Sequence, residues 1–291
     1  MNDLEQQLRR VVRGDVRFDT GSRLLYSTDA SMYQVEPVGV VIPRDADDVQ
    51  AAHELARKNG VAILSRGGGT SLTGQTVNHA LVLDFSRYMN EVLEVNREEG
   101  WARVQPGVVQ DELNHHVRPL GLLFGPDTST SNRATIGGML GNNSGGSHSI
   151  AYGLTVDHVL EMTALLSDGS RAVFGEITAE AFAAKCRLQN LDGAIYREVG
   201  RVRDAYADEI RARSPALWRR VAGYNLNELL GVSVRPHSLA GGGNGAPRPF
   251  SMARLITGSE GTFVTVLEAK VRLVERPKRT ALHVIHYRDI Q

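Results

Sequence analysis

Three consecutive glycines followed by hydroxyl side chains, in Ser65-Arg66-Gly67-Gly68-Gly69-Thr70-Ser71-Leu72-Thr73-Gly74-Gln75, are the residues of this chain best suited to chemistry. Glycine reaches positive φ without a Cβ penalty, so Gly67, Gly68 and Gly69 can aim successive N–H groups at one concave point and hold an anion. Thr70, Ser71 and Thr73 add hydroxyl donors. A bare Gly-Gly-Gly also serves a plain turn, so the flanking residues have to decide. Before it, Gly60-Val61-Ala62-Ile63-Leu64 reads as a short buried strand, which puts the glycines where a parallel strand ends and the chain turns back.

Two common phosphate motifs fail. A Walker A loop needs Gly-x-x-x-x-Gly-Lys-Ser/Thr, and no lysine lies between Lys58 and Lys185. A dinucleotide fingerprint needs Gly-x-Gly-x-x-Gly opening a helix. Gly67, Gly69 and Gly74 miss that spacing, and the chain returns instead to a strand at Ala80-Leu81-Val82-Leu83-Asp84-Phe85.

A second run, Gly125 to Gly153 (GPDTSTSNRATIGGMLGNNSGGSHSIAYG), is built from small and amide side chains. It carries too little apolar surface for an ordinary core element, so it either wraps a ligand or is disordered. Ile136, Met139, Leu140 and Ile150 punctuate it and argue for order. Two glycine surfaces suit a ligand with a diphosphate at one end and a flat polar ring at the other, a description that FAD fits.

The elements that position these runs follow from periodicity. Gly39-Val40-Val41-Ile42 is a strand stopped by Pro43, and Asp45, Asp47 and Asp48 suit the start of a helix over 49–59. Strand, helix, strand, glycine loop and strand make a small α/β lobe with parallel pairing, ending near residue 90. The larger lobe begins with a hairpin, Val92-Leu93-Glu94-Val95 against Ala102-Arg103-Val104-Gln105, and continues with a helix over 109–119. Strands over 160–167, 171–174 and 262–273 complete one antiparallel sheet. Residues 179–230 are mostly helical, and Arg197, Arg201, Arg203, Arg211, Arg213, Arg219 and Arg220 read as a solvated face. Gly241-Gly242-Gly243-Asn244-Gly245-Ala246-Pro247 reads as a flexible loop.

Composition sets further bounds. With 291 residues, 42% of them hydrophobic, the chain is globular, and equal counts of 33 basic and 33 acidic residues leave no footprint for nucleic acid or an anionic membrane. The N-terminal MNDLEQQLRRVVRG is an amphipathic helix with Leu4, Leu8, Val11 and Val12 on one face. It lacks the apolar core of a signal peptide, and no run has the length of a membrane span. The expected location is cytoplasmic, at most peripheral to the inner face of the membrane. The one cysteine, Cys186, excludes an internal disulfide and a four-thiolate iron–sulfur site, and reads as a small packing residue. No metal site is expected.

In combination the motifs resemble the vanillyl-alcohol-oxidase, or PCMH-type FAD-binding, family of flavoproteins. The matching pieces are Pro43 before the acidic helix start, RGGGTSLTGQ (66–75), VQPGV (104–108), GPDTST (125–130), ATIGGMLGNNSGG (134–146), AYG (151–153) and GSEGTF (258–263), in the family's order across about residues 20–280. The resemblance implies an α+β PCMH-type fold with a first FAD-binding subdomain over 1–90 and a second over 91–277 with a helical insertion at 176–250. It implies FAD, with its pyrophosphate on the amides of Arg66, Gly67, Gly68, Gly69, Thr70 and Ser71 and with Gln75 and Pro43 nearby. Pro126, Asp127, Thr128, Ser129, Thr135, Ile136, Gly137, Gly138, Asn142, Ser144, Gly145, Gly146 and Tyr152 would line the flavin and ribityl portions, with Glu260 and Gly261 close by. Some members attach the flavin to a histidine after the first glycines. Thr70 stands there in this chain, so a non-covalent flavin is expected, although His148, His115 and His116 remain.

Arg220-Val221-Ala222-Gly223-Tyr224-Asn225-Leu226-Asn227 and Leu255-Ile256-Thr257-Gly258-Ser259-Glu260 resemble the glycolate oxidase, D-lactate dehydrogenase and FAD/iron–sulfur oxidase branch, although Gly145 stands where many iron–sulfur relatives carry cysteine. That branch oxidises a D-2-hydroxy acid (lactate, glycolate or 2-hydroxyglutarate) by hydride transfer to flavin N5 and passes electrons to a quinone, cytochrome or iron–sulfur centre. The alternatives are another reaction on the same fold, such as sugar-lactone or alditol oxidation or enolpyruvyl-sugar reduction, and a nucleotide-binding module without turnover. Residues 278–291, with a strand over 280–287, look like the start of a truncated substrate-binding domain. The catalytic base is therefore unassigned, and iron–sulfur ligands would have to lie downstream.

Overall fold

The computed structural model describes residues 3–214, 217, 219, 223–231 and 248–289. Helix α1 (Asp3–Val11) carries acids in its first turn and arginines in its last, which complements its dipole, and buries Leu4 and Leu8. Val12 follows them inward, but Val11 is exposed, which corrects the expected four-residue face. The helix ends at Val11, and the turn into β1 (Asp15–Arg17) carries Val12 in and leaves Val11 out. Next come α2 (Thr20–Leu25), β2 (Gly39–Ile42), α3 (Ala46–Lys58), β3 (Ile63–Arg66) and β4 (Leu81–Asp84).

These strands make a four-stranded sheet in the order β1-β2-β4-β3. β2 and β3 both run parallel to β4, and β1 pairs antiparallel to β2. Strand alternation sorts the core: Val41, Leu81 and Leu83 face Leu4, Leu8, Val49, Ala52 and Ala56 of α1 and α3, whereas Val40, Ile42 and Val82 point to the other face beside Tyr26 and Tyr88. Asp45 caps α3 by accepting the N–H groups of Asp47 and Asp48. The buried Asp48 carboxylate in turn accepts the N–H groups of Arg13, Gly14 and Arg44, each at 2.9 Å, and so ties the α1–β1 turn to the end of β2.

The larger lobe contains, in order, β5 (Val92–Asn96), β6 (Trp101–Val104), α4 (Gln110–Val117), β7 (Leu122–Leu123), α5 (Ile136–Asn142), α6 (Ser149–Tyr152), α7 (Thr155–His158), β8 (Val159–Leu165), β9 (Arg171–Gly175), α8 (Ala179–Cys186), α9 (Leu191–Arg213), α10 (Met252–Ile256), β10 (Thr265–Arg272) and β11 (Val274–Glu275). Five strands form one antiparallel sheet in the order β5-β6-β10-β8-β9, and β7 pairs with β11. The α+β class, with a parallel small lobe and an antiparallel large one flanked by helices, is as the sequence implies. Tyr196 of α9 is fully buried between Phe174 and Phe182, and Cys186 packs half-buried beside this core. Arginines 201, 203, 211 and 213 form surface pairs with neighbouring acids on the same helix. Leu165 and Leu267 of the large sheet enter the small lobe's core, and Arg171 reaches Asp47 (2.5 Å) and Gln50 (3.1 Å) of α3.

Two strand expectations are corrected. Residues 262–264 belong to a turn, so the long strand starts only at Thr265. Residues 280–287 form no strand, because no described strand edge lies alongside to supply hydrogen bonds, and Leu282, Val284, Ile285 and Tyr287 are exposed. The glycine-rich stretch 241–247 and residues 220–222 lie outside the described residues. Asp48 generates the test of this packing. Asp48→Ala orphans three backbone N–H groups and should cost about 3 kcal/mol in urea unfolding, the scale of lost hydrogen bonds to a buried charge. An unchanged midpoint would remove Asp48 from the fold's supports.

Candidate functional site

The C-terminal ends of β3 and β4 open onto a cleft of about 420 Å³ between the lobes. The small lobe supplies Arg66, Gly67, Gly68, Gly69, Thr70, Ser71 and Gln75, and the large lobe supplies Thr128, Ser129, Thr135, Gly137, Gly138, Asn142, Ser144 and Gly145. A third segment adds Glu260 and Gly261, and Phe85, Pro106, Met162, Ile256, Val264 and Val266 make an apolar floor. The two glycine runs, 60 residues apart in sequence, thus form opposite walls of one space.

Contact between those walls depends on missing Cβ atoms. A Cβ on Gly67 would lie 2.1 Å from Thr135 Oγ1, and one on Gly68 would lie 2.3 Å from the Arg133 carbonyl oxygen. Only Gly69 of the three has positive φ (+63°), so the expected conformational freedom is used at one position and bare closeness at the other two. Among the described residues no protein acceptor takes the N–H groups of Gly67, Gly68, Gly69 or Thr70. The Arg66 guanidinium is engaged: Nη1 donates to the carbonyls of Tyr26 (3.2 Å) and Thr76 (3.0 Å), and Nη2 to that of Thr28 (2.7 Å). It therefore ties both ends of the loop to the preceding turn, and the loop's free donors are its amides. The Ser71 hydroxyl is spent on Gln75 Oε1.

The large-lobe wall is held from behind. Thr135 caps α5 by accepting the Gly138 N–H at 3.2 Å, and Gly137 N–H donates to the Pro106 carbonyl at 2.8 Å. Asn143 closes α5 in the left-handed region (φ 51°) and accepts the Val156 N–H at 2.9 Å. Gln110, which no sequence pattern singles out, is buried and fixes residues 126–128: its Nε2 donates to the Pro126 carbonyl (2.5 Å) and its Oε1 accepts from Thr128 Oγ1 (2.9 Å).

Six expected residues do not line the cleft. Pro43 follows β2 at the same edge of the small sheet, with β4 between its strand and β3. Pro126 and Ile136 are buried behind the wall. Asp127 accepts from His148 Nδ1 (2.6 Å) and Ser147 Oγ (3.0 Å), and a Cβ on Gly146 would meet its carbonyl oxygen, so Asp127, Gly146 and His148 form a clasp beside the cleft. The Tyr152 carbonyl lies 2.8 Å from Nε2 of the fully buried His158. Ile150, expected to anchor the run, is exposed.

Arg66 and Glu260 are the only ionisable side chains lining the cleft among the described residues. Glu260 has positive φ (+52°), a strained backbone for a non-glycine residue, between Gly258 (+91°) and Gly261 (+75°). The loop is strapped to α5 by Gly258 N–H on the Leu140 carbonyl (2.8 Å) and Glu260 N–H on the Gly141 carbonyl (2.9 Å). Burial alone pushes the Glu260 carboxyl from its ordinary 4.5 up to about 7. The sequence placed Glu260 at the site but gave no sign of its acidity, which depends on the surrounding walls.

Residues 37–175 match the family model described as an FAD binding domain. A D-2-hydroxyglutarate dehydrogenase of Pseudomonas putida is 37% identical over 278 residues, 94% of this chain and 26% of that protein. A glycolate oxidase subunit of Bacillus subtilis is 31% identical over 293 residues, 99% of this chain and 48% of that protein. The chain spans about a quarter of the length of the D-2-hydroxyglutarate dehydrogenases it matches. Among solved structures, alkyldihydroxyacetonephosphate synthase superposes with a TM-score of 0.62 at 20% identity, covering 95% of this chain and 41% of that one, a likeness of fold.

A pH test follows from Glu260. Its folded-state pKa lies above the unfolded one, so ionisation costs the folded protein stability as pH rises from about 4.5 through about 7. Glu260→Gln should match the wild type in urea midpoint at pH 4.5 and exceed it at pH 8. Equal midpoints at both pH values would mean that the carboxyl is not disfavoured.

Proposed function

We propose that the interlobe cleft holds FAD and that the chain is the flavin-binding part of a D-2-hydroxy-acid oxidoreductase, a reading that the match of residues 37–175 to the FAD binding domain family supports. The observation that carries this is that the N–H groups of Gly67, Gly68, Gly69 and Thr70 have no acceptor among the described residues, and that these four residues line the same cleft as the small-residue wall of α5. Those amides suit a diphosphate, because an oriented backbone donor needs no side chain to bind an anion. Thr128, Ser129, Thr135, Asn142 and Ser144 offer hydroxyl and amide partners along the rest of the cleft, and the apolar floor suits a flat ring. The residues present therefore fit FAD.

In this reading Arg66 shapes the loop through three carbonyls and leaves anion binding to the amides. Gln110 and the Asp127–His148 pair hold the opposite wall. FAD supplies the two-electron acceptor, and the chain fixes its position and keeps water from it. The 2-hydroxy-acid class rests on the D-2-hydroxyglutarate dehydrogenase and glycolate oxidase relatives. The acceptor that would take the electrons onward is a quinone, a cytochrome or an iron–sulfur centre. Thr70, in place of a histidine, makes the flavin non-covalent.

The substrate class is tested by assaying the full-length protein on D-2-hydroxyglutarate, D-lactate and glycolate with an artificial acceptor. Reduction of the acceptor by at least one is expected, and a flavin-loaded protein inert to all three would overturn the assignment. Acid precipitation should release the flavin into the supernatant, whereas flavin in the pellet would show a covalent bond. Gly68→Val places a Cβ against the Arg133 carbonyl, so it should abolish flavin retention while the circular dichroism of the core persists. Unchanged flavin occupancy would refute the loop's role.

A further inference from the structure

Glu260 is an odd choice for a cleft that receives a diphosphate. A carboxylate there repels the ligand, yet the backbone is strained to φ +52° and strapped by two hydrogen bonds to α5 so that this side chain lines the cleft. The carboxyl makes no hydrogen bond and no ion pair within the chain among the described residues. A half-buried acid without a partner is tolerated if it is neutral, and a neutral carboxyl is a hydrogen-bond donor.

The surroundings leave nothing else to neutralise it. Across the cleft, Arg66 is held by the carbonyls of Tyr26, Thr28 and Thr76. Helix α5, to which the Glu260 loop is strapped, has no acidic or basic residue in its first or last turn. On the neighbouring segment the Tyr224 hydroxyl pairs with Thr262, and Arg254 of α10 is engaged by Glu176 (2.7 Å) and Glu228 (3.2 Å). Burial is the only influence on the Glu260 carboxyl, and it already brings its titration to about 7.

We infer that Glu260 binds FAD as the neutral acid, donating its proton to an acceptor of the cofactor, so that FAD binding takes up one proton from solvent at this side chain. The inference rests on the cleft being the FAD site. The physical basis is linkage. FAD brings negative charge and displaces water, both of which favour the protonated acid, so the protein above neutral pH must acquire a proton before it holds the cofactor well.

The test is FAD affinity of the apoprotein, followed by flavin fluorescence between pH 6.0 and 8.5, for wild type and Glu260→Gln, in which the amide is a permanent neutral donor. Wild-type Kd should be flat near pH 6 and weaken by up to about tenfold per pH unit above 7, the slope of one linked proton. The variant should bind with a Kd that changes less than about twofold over the same range. Calorimetry of the wild type in two buffers of different ionisation enthalpy at pH 8 should show proton uptake approaching one per FAD, a readout independent of the variant's folding. A flat wild-type profile, the same slope in both proteins, or no proton uptake would overturn the inference while leaving the FAD site standing. Absence of FAD binding by either protein at any pH would overturn both.

Discussion

The structure depends most on the close contact between the backbone of Gly67-Gly68 and Arg133–Thr135. Thr135 Oγ1 and the Arg133 carbonyl occupy the space that side chains at the two glycines would take, so the small lobe's first loop lies directly on the start of the large lobe's α5. The cleft exists because the two segments meet there with no side chain on the glycine side, where Gly67 lies against the Thr135 side chain and Gly68 against the Arg133 backbone. A wall of bare backbone presents N–H donors at a density that side chains cannot match, and those of Gly67, Gly68, Gly69 and Thr70 have no partner among the described residues.

The rest of the molecule fixes the two surfaces so that they can meet. On the small-lobe side, parallel strands end at one edge, and Arg66 turns a β-strand terminus into an anchor for three carbonyls. On the large-lobe side, the antiparallel sheet carries α5 and the loop 258–261, while buried polar groups stabilise their connections: Asn143 on Val156, Thr155 on the Ser144 carbonyl at 2.7 Å, and Asn225 on the Thr257 carbonyl at 2.6 Å. Arg254 of α10 and Glu228 are a buried charge pair, and the exposed Glu176 meets the same guanidinium from the surface. Such buried pairs specify an arrangement more than they stabilise it, because desolvating the charges costs much of what their attraction returns.

Much of this was legible along the chain. Strand β2, the acidic start of α3, the β5–β6 hairpin and the antiparallel sheet all follow from apolar periodicity and turn residues. The glycine runs stood out because they carry too little apolar area for a core, and residues of both line one cleft. What escaped was of another kind. Val11, Ile150 and the apolar residues of 280–287 are hydrophobic yet exposed, because periodicity reports which residues could be covered and not whether a neighbour is present to cover them. Gln110 escaped because a buried glutamine that holds two carbonyl-bearing segments has no sequence signature, and Asp127 was expected to line the cleft but turns to His148 at its side.

Element order, the α+β class and the two glycine surfaces can be read along the chain, since these depend on local conformational freedom and on the spacing of apolar side chains. Packing alone settles that the two surfaces face each other, which glycines are needed for closeness and which for positive φ, and that burial weakens Glu260 as an acid. Those properties belong to distances and to the removal of water, and both appear only when segments far apart in the chain have packed together.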